Sequence, residues 1–137
     1  MTAHESTVEL FQDSLRRCQC DPQFIHRFYM YFFDSTPEVP RFFSGTDMQR
    51  QERMLQASLH MVMLASQDNG AAEIYLRHVA SEHQQRQIPA FLFDLWLDCL
   101  IKTVAETDSR FNGKVAQAWH DIMSQGIEYM KKSGGQR

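Results

Sequence analysis

Apolar residues along the chain recur mostly at spacings of three and four, the mark of helices buried along one side. The spacing of two expected of strands is weak throughout. A first helix is predicted from about Thr7 to Cys18, with Val8, Phe11, Leu15 and Cys18 on one face. Asp21-Pro22 reads as a capped start for a second helix, carrying Phe24, Ile25, Phe28, Tyr29, Phe32 and Phe33 and ending near Ser35-Thr36. Pro37 and Pro40 leave room only for a short helical turn or a bend. Thr46 or Asp47 can cap a helix that continues to about Ser66, and Asp68-Asn69-Gly70 breaks it. The pattern resumes over Ala71–Gln84. Pro89 opens a long apolar helix through Phe91, Leu92, Leu95, Trp96, Cys99, Leu100 and Thr103. Asp108-Ser109 introduces the last, with Phe111, Val115, Ala118, Ile122 and Met123 inward and a loose tail expected from about Ser133. The expectation is a single all-α domain spanning residues 1–137, with six long or medium helices and one short one.

With 137 residues the chain can bury a sizeable core, and its ten Phe and eight Met supply large and adaptable apolar groups. A net charge of −3 and no basic run beyond Lys131-Lys132 argue against a nucleic-acid partner. No apolar run is long enough to cross a membrane, and Met1-Thr-Ala-His-Glu lacks the features of a signal peptide, so a cytoplasmic location is expected. Cys18, Cys20 and Cys99 cannot all pair within one chain, and Cys18-Gln19-Cys20 lacks zinc-site spacing; all three are read as reduced thiols. The apolar content is compatible with a monomer or a homodimer.

Helical geometry separates the six histidines. At about 100° per residue, Ala72, Leu76, Val79 and Ala80 lie within about 60° of His83, which extends their apolar stripe near a helix end. His78 lies about 140° round from it and faces water. A histidine in an apolar setting needs something to satisfy its ring nitrogen, and a backbone carbonyl or a metal would each do so. On the preceding helix Gln51, Leu55, Ser58, Val62 and Ala65 share a side, with His60 opposite Gln51. Tyr29 shares a face with Ile25, Phe32 and Phe33, and its buried phenol also needs a partner. Tyr29 and Gln51 either satisfy each other or point together at one ligand.

In order and spacing these segments resemble the globins, most closely the bacterial single-domain and flavohaemoglobin-type members. The residues that carry the resemblance are Phe28-Tyr29, then Pro37 eight positions on, then Phe43 six beyond it; Gln51 with Leu55 four later; the run Leu76 to His83; and Ala118-Trp119. It covers roughly Leu10 to Met130. The resemblance implies a globin fold of six to seven packed helices around one pocket for haem b, with His83 as the iron ligand. Phe43, Leu55 and Phe28 would contact the haem, with Tyr29 and Gln51 stabilising a ligand on the distal side. It implies a five-coordinate iron that binds dioxygen reversibly, and other diatomic gases such as NO and CO. Each distal hydrogen bond would contribute about 1–3 kcal/mol. Nitric oxide dioxygenation with an external reductase, and gas sensing, are the alternative roles. Two departures stand out. The last-helix positions that hold a Tyr and a Glu behind the proximal His in flavohaemoglobin-type members fall at Met123 and Gly134, and the Gln84–Ile88 connection is about three residues shorter. Arg41, Arg50 and Arg86 are candidates for meeting haem propionates.

Overall fold

The computed structural model describes residues 3–67, 70–85 and 88–135, and the side chains of 7–67, 70–82 and 88–127. Among the described residues there are seven helices and no strand: α1 (Ala3–Gln19), α2 (Phe24–Ser35), α3 (Glu38–Phe42), α4 (Met48–Ala65), α5 (Gly70–Gln85), α6 (Ala90–Thr107) and α7 (Gly113–Gly135). None is long and apolar enough to cross a membrane.

The apolar stripes read from the sequence are the faces that meet. Helix α1 packs on α7, α2 on α6, and α5 on both α4 and α7. At the first of these crossings Phe11 and Trp119, both fully buried, meet edge to face with ring centroids 4.8 Å apart. That geometry sets the positive edge of one ring against the negative face of the other, adding about 0.5–1.5 kcal/mol to the burial itself. The Trp119 indole N–H donates to Ser14 Oγ at 2.8 Å, and the Ser14 hydroxyl donates to Asp108 Oδ2 at 2.6 Å. Arg17 closes the network with two hydrogen bonds to the same carboxylate. Helix α1 is thus bolted to the corner between α6 and α7 by the buried Ser14, Trp119 and Asp108 and the partly exposed Arg17, each satisfying another.

Helix ends differ from the sequence expectation in three places. Asp21 does not cap α2. Its Oδ1 accepts from Gln23 N at 2.9 Å in a turn, and the helix proper starts at Phe24. Asp108 does not introduce α7 but closes α6, because its carboxylate is committed to Ser14, Arg17 and the Arg110 N–H. Asn112 takes over the start of α7, its Oδ1 accepting from Val115 N at 2.9 Å. This leaves Phe111 ahead of the helix, half-buried and packed on the core from the connecting segment. Helix α7 runs to Gly135, past the Ser133 at which the tail was expected to begin.

Elsewhere the local chemistry acts as expected. Asp47 caps α4, its side chain accepting from Gln49 N and Arg50 N. Pro37 and Pro40 are accommodated by the five-residue α3. A turn closed by Thr46 N to Phe43 O at 3.0 Å follows, with Gly45 at φ 78° in the third position, where a side chain would be strained. This turn delivers the chain from Phe43 straight into the Asp47 cap.

Candidate functional site

A cavity of about 540 Å³ opens between α4 and α5 and reaches α2, the α3 corner, α6 and α7. Its size is that of a pocket for a substantial organic ligand. Helix α4 contributes Gln51, Met54, Leu55, Ser58, Leu59, Val62 and Ala65. These include every member of the face that periodicity assigned to this helix. From α5 come Tyr75, Leu76 and Val79, with Glu73, Arg77 and Glu82. Phe42 and Phe43 close one end, Leu92, Phe93 and Trp96 of α6 another, and Met123 and Ile127 the α7 side.

Two predicted residues meet inside it. The Gln51 side-chain amide donates to the Tyr29 hydroxyl oxygen at 3.1 Å, and both line the cavity. Tyr29 is only 4% exposed. Burial pushes its phenol up to about 12; the hydrogen bond from Gln51 pulls the other way, and the charge of Glu52 adds to the rise. Glu52 itself sits 3.2 Å from His26 Nδ1, so consecutive residues of α4 reach across to α2 twice.

Phe43 lies edge-on to Tyr29 with centroids 5.8 Å apart, and it also touches Phe33 at 5.3 Å. Leu55 is buried on the α4 wall. Phe28 is fully buried but is not among the cavity-lining residues. It stands behind the wall, against Phe32 at 5.6 Å and Trp96 at 5.7 Å. Phe28 meets Tyr29 edge to face with centroids 5.0 Å apart, and of the two only Tyr29 lines the cavity. Phe32, one turn on from both, also lines it.

His83 stands in the last turn of α5, four residues after Val79; its side chain lies outside the described residues, as does Arg86. Arg41 and Arg50 are exposed and do not line the cavity, whereas Arg77 does. His60 and His78 are exposed, the latter 3.4 Å from Glu82. Two polar residues that sequence reasoning did not pair, Ser58 and Tyr75, meet across the α4–α5 gap at 3.2 Å.

A buried phenol and an amide at one end of a large, mainly apolar chamber can orient one polar atom of a ligand while the walls keep water out. The volume and the mainly apolar lining, which includes Phe43, suit a large and mostly apolar ligand.

The family model for Globin matches residues 26–130 of the chain. A crystal structure of the protein PA3967 from Pseudomonas aeruginosa PAO1, described as structurally highly homologous to a human haemoglobin, is similar over almost the whole length. The TM-score is 0.86 at 29% sequence identity, covering 93% of this chain and 97% of that one. Comparison with curated proteins gives no match.

Proposed function

This chain belongs to the globin family, and from that premise we propose that it is a haem-binding globin that takes up dioxygen reversibly. The observation that carries the reading is the Gln51–Tyr29 hydrogen bond at 3.1 Å, set inside the cavity across from the helix that bears His83. The volume of the cavity and its mainly apolar lining suit haem b. His83 would hold the iron, and Phe43, Leu55, Val62, Leu76 and Val79 would enclose the ring. Haem held on one face by a neutral imidazole supplies an open position for a diatomic gas.

The chain's own residues then decide which gas stays. Tyr29 keeps its proton across the physiological range, because its phenol titrates only at about 12. It therefore donates to any ligand that carries partial negative charge, which favours dioxygen over carbon monoxide. Gln51 holds the phenol in place from the side and offers a second amide hydrogen. Phe32, Phe43, Leu55 and Val62 keep the site dry, where such hydrogen bonds are strongest. On the other side Met123 lines the cavity and has no atom able to accept a strong hydrogen bond from an imidazole N–H. A strongly electron-donating proximal ligand, as peroxidase chemistry demands, is therefore not supported from that position.

The test is an absorption spectrum of the purified protein, as isolated and after adding haem, beside His83→Ala. An intense Soret band in the wild type that weakens sharply in the variant is expected. No Soret band in either wild-type sample overturns the reading.

A further inference from the structure

Within the mainly apolar chamber, Ser58 and Tyr75 form a polar contact that the binding of a gas does not use. Their hydroxyl oxygens lie 3.2 Å apart, and either can donate. Both side chains are half-buried and both line the cavity. Ser58 stands seven residues after Gln51, two turns along the same face of α4. Tyr75 stands in the second turn of α5, eight residues before His83.

We propose that Tyr75, held by Ser58, is a positioning residue that fixes how α5 sits across the cavity, and through α5 the orientation of His83. The proposal rests on the haem reading above. Its physical basis is the contrast between the two kinds of contact available to these helices. Leu55, Leu59 and Val62 face the chamber from α4, and Leu76 and Val79 from α5. Apolar contacts of this kind are non-directional and tolerate sliding or rotation of one helix over the other. A hydrogen bond has a narrow range of distance and angle, so it selects one setting. The phenol suits the task, since its rigid ring fixes the distance at which the hydroxyl meets the opposite helix. The eight residues from Tyr75 to His83 span about 12 Å of one continuous helix, so a rotation at one is passed to the other.

The test compares Tyr75→Phe, Ser58→Ala, the double variant and Ser58→Thr with the wild type. Amide hydrogen exchange is read in α5, with α1 and α6 as internal references, on protein with and without added haem. On ferrous haem-loaded protein the iron–histidine stretching band is recorded by resonance Raman spectroscopy. Each single variant is expected to speed exchange in α5 about three- to tenfold, the amount one net hydrogen bond supports. The double variant should do no more than either single one, and each hydroxyl loss should shift or broaden the iron–histidine band. Ser58→Thr, which keeps the hydroxyl, should match the wild type. Unchanged exchange in α5 overturns the proposal. So does faster exchange with an unmoved band, because that outcome describes a tie that does not reach His83. A wild type that takes up no haem overturns the functional reading; exchange in α5 then still decides whether Tyr75 places the helix.

Discussion

Gln51 donates its side-chain N–H to the Tyr29 oxygen, at 3.1 Å, and in doing so leaves the phenolic proton of Tyr29 uncommitted. The acceptor role of Tyr29 is filled by the protein, and its donor role is left for a ligand. Removing the hydroxyl in Tyr29→Phe should raise the rate of oxygen dissociation about ten- to hundredfold, the worth of one hydrogen bond in a dry site. Gln51→Leu should have a smaller effect, because the phenol can still donate when its support is lost. Stopped-flow displacement of oxygen by carbon monoxide measures both. A dissociation rate that does not rise in Tyr29→Phe removes Tyr29 from the distal role.

The same pair sets a pH dependence. Burial holds the Tyr29 phenol up at about 12, against the pull of Gln51 and with help from Glu52. The donor is present below that value and disappears above it. Oxygen dissociation should therefore stay flat from neutral pH to about 10, where an ordinary tyrosine is already half-ionised, and should accelerate only as pH approaches 12. Gln51→Leu should move the phenol higher still, since it deletes the one contact that favours the phenolate. Phenolate absorbance against pH, with Tyr29→Phe as the blank, reads the titration directly.

The helices were legible in the sequence wherever one stripe of apolar residues meets one neighbour. The centre of the inward face of α4 could be listed because Gln51, Leu55, Ser58, Val62 and Ala65 follow a single helical period, whereas Met54 and Leu59, which also line the cavity, lie at its two edges. The partnership of Ser58 with Tyr75 was not legible, since Tyr75 lies about 80° round α5 from the stripe centred on His83. Phe28, which the resemblance set against the haem, is fully buried beside Tyr29 and Phe32 and is not part of the cavity wall. Least legible was the role of Asp108. Its cap-like position ahead of α7 is a local signal, while the partners that claim it are 91 and 94 residues away in the chain.

That long-range claim has a cost attached to its loss. The Asp108 side chain is fully buried, and its partner Arg17 is 28% exposed. Burial alone would raise the carboxyl, but hydrogen bonds from Arg17, Ser14 and the Arg110 N–H outweigh it and hold the group below its ordinary value. A depressed carboxylate stabilises the fold above its unfolded pKa, and that contribution fades as pH falls through the folded value. Asp108→Asn should thus lower stability by about 2–4 kcal/mol at neutral pH. The gap between wild type and variant should close progressively below about pH 4. Urea unfolding at a series of pH values tests this; a gap that widens in acid contradicts the assignment.

A last prediction separates the chamber from the rest of the core. Val62 lies in the α4 wall, is buried, and faces the cavity with Leu55 and Ser58. Enlarging a side chain in a well-packed core strains its neighbours and costs about 1–3 kcal/mol. Here the haem-free protein has empty space for the extra atoms, so Val62→Trp should leave its helicity unchanged and its stability within about 1 kcal/mol of the wild type. The loss should fall on the ligand instead: haem titration should show at least about tenfold weaker uptake, because about 1.4 kcal/mol of lost contact already corresponds to a factor of ten. Leu100 provides the comparison. It is fully buried and absent from the cavity wall, so Leu100→Trp should unfold the haem-free protein at markedly lower denaturant. Equal destabilisation by the two changes would mean that the space beside Val62 belongs to the ordinary core and not to a binding chamber.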